Sequence, residues 1–241
     1  MTSRPLTEGK KPARRTVGKR TPAASSKRGP ALTAAAPPPA RRKPPEERRT
    51  EIVRAASVLA LTEGLESLTL RRVADALGVV PGLVNHYFRS VEDLVAEAFT
   101  VAAYGETSAV FRLVEQEATA LGRMQALIAL LVTPDRDDIS LLWLDAWQAS
   151  RARPALHAAV SEQMVVWQQR VADLIAAGVA DGVFRNDDPP AAATRLMAVV
   201  DGLSVHAAMR SPDDYAVVRQ LVIDSTEREL GLRRGELEPP T

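Results

Sequence analysis

The sequence contains no cysteine, and only 4% of its 241 residues are aromatic. Without cysteine the chain can form neither a disulfide nor a thiolate metal site, which suits a reducing compartment. Because aromatic residues are few, the 46% of hydrophobic residues are mostly Ala, Leu and Val, a composition that favours helices over sheets. No apolar run reaches the roughly 18 residues that a membrane helix needs, so we expect a cytoplasmic protein without membrane contact.

Patterns typical of catalysis and metal binding are also missing from the sequence. The three histidines, His86, His157 and His206, do not cluster with carboxylates at metal-ligand spacing. There is neither a glycine-rich phosphate-binding loop nor a nucleophile elbow around a serine. We therefore predict a protein that is not an enzyme and that uses no cofactor and no metal.

Charge is distributed unevenly along the chain. Residues 1–45 hold twelve of the 31 Lys and Arg residues, nine of the 17 prolines and one acid, whereas the remainder holds 19 basic and 29 acidic residues. We predict that residues 1–45 form a disordered basic tail attached to an acidic body. The tail has three interpretations: an arm that attracts DNA, a solvated segment with little role, or the product of a misassigned start codon. Arg41 and Arg42 precede the first helix, where an arm can reach the minor groove.

From Glu46 onward, apolar residues recur at the spacing of helices, and no stretch alternates as a strand does. This pattern predicts an all-α fold. Four dipeptides that end in proline mark positions where later helices can begin: Thr133-Pro134, Arg153-Pro154, Asp188-Pro189 and Ser211-Pro212.

Two short helices joined by a tight turn are predicted at Thr69–Leu77 and Pro81–Phe88, with Gly78 in the turn. This arrangement is typical of a helix-turn-helix, whose second helix enters the major groove of DNA. Thr69 and Arg71, at the start of the first helix, are expected near the DNA backbone. On the second helix, we expect a group of outward-facing residues to contact DNA: Pro81, Gly82, Leu83, Asn85, His86 and Tyr87.

A longer pattern of small, turn-forming and core residues surrounds this motif. Its members are Ile52, Ala55, Ala56, Gly64, Thr69, Val73, Ala74, Gly78, Val79, Gly82, Phe88 and Leu94. With this spacing, residues 49–98 resemble the DNA-binding domain of TetR-family transcriptional regulators. Three positions depart from that family: Val80 stands where Ser is usual, Asn85 where Tyr is common and Val91 where Lys is frequent. These departures remove a side-chain cap and two phosphate contacts.

The segment from Trp143 to Ala207 resembles the C-terminal domain of the family's BetI-type branch. The resemblance implies a repressor that binds double-stranded DNA at a palindromic operator as a homodimer and is released by a small-molecule effector. Together with the composition, it indicates four regions. These are the basic tail (1–45), a three-helix helix-turn-helix DNA-binding domain (46–92), a helical ligand-binding and dimerisation domain (93–232) and a C-terminal tail (233–241).

Aromatic side chains are the candidates for the effector pocket: Tyr104, Phe111, Trp143, Trp147 and Trp167. Trp143 and Trp147 are four residues apart and share one helix face, where an aromatic wall would attract a cation. The alternative is ordinary core packing, which is the more common role of an aromatic pair at this spacing.

The resemblance places the dimer interface on the last two helices, whose apolar stripes supply the candidates: Leu196, Val199, Val200, Leu203, His206, Val218, Leu221 and Val222. Gly202 lies within one stripe. We expect close helix packing to require it, because glycine weakens a helix by about 1 kcal/mol relative to alanine. Asp201 is compatible with packing, with an interface or with a ligand contact.

One alternative from a different class of protein stays open. With its basic tail, the chain would also suit a nonspecific, architectural DNA-binding protein. Such a protein would bind DNA with steep salt dependence and with little preference among sequences.

Overall fold

The computed structural model describes residues 43–133, 136–209 and 212–238. Over these ranges the backbone forms helices and no strand, which confirms the predicted all-α class. The helices are α1 (Pro45–Glu63), α2 (Leu70–Leu77), α3 (Pro81–Tyr87), α4 (Val91–Val114), α5 (Ala120–Leu131), α6 (Asp137–Ser150), α7 (Pro154–Ala180), α8 (Pro189–Met209) and α9 (Pro212–Glu229). A 3-10 turn at Leu65–Ser67 separates α1 from α2.

Several of the predicted helix boundaries are confirmed, and each has a local cause. Gly64 ends α1 with a φ of +82°, and Gly78 ends α2 in the left-handed region that favours glycine. Thr69 caps α2, because its Oγ1 accepts a hydrogen bond of 2.9 Å from the amide of Arg72. Ser90 caps α4 in the same way.

The first three helices pack around a small apolar core. Val73, Ala74 and Val84 are fully buried, and Phe88 follows α3 into the same core. Ala74 is small enough to let α2 and α3 approach closely. Burying Val73, Val84 and Phe88 contributes about 1.5–3 kcal/mol each, which fixes α3 on the rest of the DNA-binding domain.

The remaining helices form the body of the protein. The long helix α4 packs on α1 and also on α7. It therefore belongs both to the DNA-binding domain, called the head below, which contains α1, α2 and α3, and to the body. Helix α7 lies between α4 and α8, and α9 packs on α8. As predicted, α7, α8 and α9 each begin at a proline, whereas α6 begins at Asp137 and Pro134 lies outside the described residues. No helix in the described ranges has the length and apolar character needed to cross a membrane.

Two glycines within the helices of the body have opposite surroundings. A Cβ atom built on Gly178 would lie 2.0 Å from the ring of Phe184, so only glycine allows this contact. A Cβ on Gly202 would meet nothing within 4 Å. The described part of a single chain therefore gives no packing reason for Gly202, and its role in a helix pair of the dimer stays a prediction.

The segment that follows α9 lies against the body as far as Glu238. Leu237 is buried, and its amide donates a hydrogen bond of 2.9 Å to Oε1 of Glu227. The amide of the Gln125 side chain donates to the carbonyl oxygen of Glu236 at 2.6 Å. The part of the predicted C-terminal tail that the structure describes is thus packed on α5 and α9.

Candidate DNA-binding surface and effector cavity

The exposed side of α3 brings together the residues predicted to contact DNA. Pro81, Gly82, Asn85 and His86 are exposed, whereas two further candidates, Leu83 and Tyr87, are half-buried. The rings of His86 and Tyr87 meet edge to face, with centroids 5.3 Å apart.

The start of α2, which packs on this helix, carries a largely exposed cation. The side chain of Arg71 is 84% exposed, and its closest carboxylate is that of Asp75 at 4.0 Å. Its neighbour Arg72 is engaged instead, because its Nε donates to Oε2 of Glu63 at 3.0 Å. The guanidinium of Arg71 therefore stays available for a phosphate. Thr69 is exposed but its hydroxyl caps the helix, and Arg41 and Arg42 lie outside the described residues.

The N-terminal boundary of α3 differs from those of α2 and α4. Val80 occupies the capping position with extended backbone angles, and no side chain caps the helix there. Val80 is 72% exposed. The helix is held instead by the proline at its first position and by the burial of Val84 and Phe88.

A cavity of about 160 Å³ lies between α6, α7 and α8, and three of the five predicted aromatic residues line it: Trp143, Trp147 and Trp167. The rings of Trp143 and Trp147 are 5.6 Å apart and inclined by 40°. The other lining residues are Arg136, Ser140, Met164, Gln168, Thr194, Met197, Ala198, Val200, Asp201 and Ser204.

The other two aromatic candidates do not line this cavity. Tyr104 is 54% exposed on α4, because its position faces away from the helices that pack on α4. Phe111 is buried in the core, where its ring centroid is 5.5 Å from that of Trp167 and the guanidinium of Arg170 lies above it at 5.1 Å. The spacing of aromatic residues along the sequence did not show that Tyr104 and Phe111 lie outside the cavity while the three tryptophans line it.

The cavity contains one carboxylate that lacks a partner. Asp201 makes no hydrogen bond or salt bridge with any described residue, and burial raises the pKa of its carboxyl to about 6. The charge of Arg136 opposes this rise. Arg136 is itself paired with Glu106 of α4, to which its Nε donates at 3.0 Å, and it also donates to the carbonyl oxygen of Leu131 at 3.2 Å.

Sequence reasoning missed Arg136 although a signal was present. Arg136, Ser140, Trp143 and Trp147 follow at intervals of four, three and four residues, so Arg136, at the N-terminal boundary of α6, continues the face that carries the other three. Extending the face of the two tryptophans by two turns towards the N-terminus would have found the arginine.

The predicted interface residues fall into two groups. Leu196, Val200, Leu203 and Val222 are buried inside the chain, and Val200 also lines the cavity, so a single chain already covers them. The remaining candidates are half-buried or exposed: Val199, His206, Val218 and Leu221. Helices α8 and α9 carry apolar residues on both their inward and their outward faces. The candidates chosen from the periodicity of the sequence therefore include some residues of the inward faces. Val205 and Val217, which were not among the candidates, are also exposed on these helices.

Known families match both regions of the chain. The model for bacterial regulatory proteins of the tetR family matches residues 52–98. This range contains α1 from Ile52 onward and the whole of α2 and α3. The model for the C-terminal domain of BetI-type transcriptional repressors matches residues 120–231, which include every residue lining the cavity.

Individual relatives agree with the family models. The HTH-type transcriptional repressor KstR2 of Rhodococcus jostii (strain RHA1) is 28% identical over 155 residues, which cover 58% of this chain and 69% of the relative. A transcriptional regulator from Saccharomonospora viridis, solved in complex with choline, is 26% identical with a TM-score of 0.66, covering 77% of this chain and 98% of its own. A TetR-family regulator from a Rhodococcus species has the same fold, with a TM-score of 0.65 at 22% identity over 77% of this chain and 99% of its own.

Proposed function

Because the chain belongs to the TetR family of transcriptional regulators, we propose that it is a homodimeric repressor whose operator is released when a small molecule enters the cavity. The observation that carries this proposal is the pairing of α3, whose exposed side carries Asn85 and His86, with a cavity lined by tryptophans in a separate part of the fold.

A two-fold dimer would present two copies of α3 about 34 Å apart, or a multiple of that distance, to successive major grooves. The operator would then be palindromic. The outward apolar residues Val205, Val217 and Leu221 support a dimer, because two exposed helices with such residues gain free energy when a second copy covers them.

For the effector we propose an organic cation of the size of choline. Three tryptophans line the cavity, and the face of an indole ring attracts a positive charge. Asp201 adds a carboxylate that forms no ion pair with a described residue. The charge of Arg136 is offset by Glu106, so the carboxylate of Asp201 determines the sign of the site. The choline complex of the Saccharomonospora viridis regulator supports the same class of ligand.

The contacts of α6 supply a route from the cavity to the DNA-binding domain. The ring of Trp143 meets that of Phe99 on α4 edge to face at 5.0 Å. On another side of α6, Oδ2 of Asp145 would lie 3.1 Å from a Cβ built on Gly64, at the end of α1. A ligand that moves α6 would therefore act on both α4 and α1. The free energy of coupling between ligand and operator equals the difference between the ligand's binding free energies for the operator-bound and the released conformations, typically about 1–3 kcal/mol.

The operator is tested by selecting bound fragments from sheared genomic DNA at near-physiological salt. The full chain and a version lacking residues 1–40 are compared. Recovery of one palindrome by both proteins is the expected result. If the bound fragments share no motif and are recovered only when the tail is present, the repressor hypothesis is wrong and the architectural DNA-binding protein is favoured.

The effector class is tested by titrating the full protein with choline and with 3,3-dimethyl-1-butanol, its uncharged analogue of the same shape. Tryptophan fluorescence reports binding, since three indoles line the cavity. We expect choline to bind and to release the operator, and the alcohol to bind weakly. Equal binding of the two compounds would contradict a cation site.

A further inference from the structure

Val80 is the most exposed large hydrophobic residue among those that the structure describes. It stands immediately before α3, next to the exposed Pro81 and Gly82. Its backbone is nevertheless held in place, because its carbonyl oxygen accepts a hydrogen bond of 2.9 Å from the amide of Leu83. An ordered valine with uncovered methyl groups therefore lies at the edge of the candidate DNA-binding surface.

The folding of α3 does not account for this valine. A Ser, Thr, Asp or Asn at the same position would accept a hydrogen bond from a free amide of the first turn, and valine has no acceptor. Nor does Val80 take part in the core of the head, which is filled from the opposite side of α3 by Val84 and Phe88. An apolar side chain at this position can contribute favourable free energy only if a binding partner covers it.

The chemistry of the surrounding surface narrows the choice of partner. From Val80 to Phe88 there is no Lys and no Arg, so α3 cannot make the bidentate guanine contact typical of those residues. Asn85 is exposed and carries the amide that pairs with the N6 and N7 atoms of adenine. The T·A pair adds one apolar group to the major groove, the 5-methyl group of thymine, and a valine is a suitable partner for it.

We infer that Val80 is a specificity-determining residue that packs on the 5-methyl group of a thymine in each half-site of the operator. This inference rests on the proposed function, because it requires α3 to lie in the major groove. The N-terminal residues of a recognition helix are those closest to the base edges, which is where Val80 stands. With valine at position 80, the chain thus lacks a side-chain cap for α3 and has an apolar contact to a base instead.

The test uses the palindrome recovered with the full chain. Each thymine of one half-site is replaced in turn by deoxyuridine, which removes the methyl group and leaves the base pair intact. With the unaltered protein, we expect deoxyuridine at one particular thymine to weaken binding about fourfold, as for one methyl group returned to water.

Two variants show whether Val80 causes that loss. With Val80→Ala, which keeps a single methyl group, the loss at that thymine should shrink while any other thymine keeps its effect. Val80→Ser replaces the apolar branches by a hydroxyl and should abolish the loss, and because serine can cap α3, a failure to fold would not explain it. Val58→Ala, which trims an exposed valine of α1, is the matched control and should keep the fourfold loss.

The outcomes separate this inference from the function on which it rests. If no thymine is sensitive, or if the sensitivity persists in both Val80 variants, the inference is overturned while the protein remains a sequence-specific repressor. If no shared operator sequence is recovered at all, both the proposed function and the role of Val80 are overturned.

Discussion

The DNA-binding surface and the cavity are built in opposite ways. The first takes its predicted contacts on α3 from seven consecutive residues, Pro81–Tyr87, which stand on one short helix and mostly face solvent. The second takes its residues from three helices, between Arg136 and Ser204, and encloses a carboxylate without a partner. One region follows from a local motif, and the other exists only when the helices are packed. Changes to one region should therefore leave the other intact.

The largest effect is expected at Asp201. Asp201→Asn keeps the shape of the side chain and removes the charge that faces the cation. We expect choline affinity to fall by at least about 30-fold, since truncating one partner of a buried charge pair costs about 2 kcal/mol or more. Titration calorimetry measures the change. Asp138→Asn, at an exposed position of α6, is the control, and operator affinity should be unchanged in both variants.

The packing of the body is tested at two glycines. Gly178→Ala forces a methyl group into the ring of Phe184 and should lower the free energy of unfolding by about 1–3 kcal/mol. Gly105→Ala, within α4 and with open space around it, should raise the free energy of unfolding by about 0.5–1 kcal/mol. Urea denaturation distinguishes them. A similar loss in both variants would show that the contact with Phe184 is not what separates the two sites.

The DNA-binding surface is tested at Asn85 and His86. Replacing either by Ala should weaken operator binding about tenfold, because a base contact of this kind contributes about 1–3 kcal/mol of discrimination. Helical content by circular dichroism and choline affinity should not change. His157→Ala, at an exposed position of α7, is the control. Unchanged operator affinity in both variants would remove α3 from the role of recognition helix.

The smallest effect concerns pH. Burial raises the pKa of Asp201 to about 6, so the carboxylate that attracts a cation is largely ionised at pH 7.5 and mostly protonated at pH 5.5. Choline affinity should therefore fall about fourfold over that interval, as the ionised fraction does. The affinity of Asp201→Asn should not vary with pH. If the choline affinity of the unaltered protein were equally independent of pH, the tryptophans alone would bind the cation.

The contrast between the regions also explains what could be predicted from the sequence. Thr69, Gly78 and Pro81 act within a few residues of themselves, so their roles in capping and turning were readable. The three tryptophans were identified as pocket candidates, but no pattern along the chain distinguished them from Phe111 in the core. The inward residues Leu196 and Leu203 were assigned to an interface because periodicity identifies apolar faces without saying which neighbour covers them.

The absence of cations from α3 has a consequence for the thermodynamics of binding. Counterions are released from DNA when Lys or Arg neutralises a phosphate, and each such contact adds about one unit to the slope of log affinity against log salt. Over α2 and α3, Arg71 supplies this charge while Arg72 is held by Glu63. We therefore expect α2 and α3 to contribute little to the salt dependence, and the twelve Lys and Arg within residues 1–45 to contribute much of it. Sequence preference and ionic attraction are thereby assigned to separate segments of one chain.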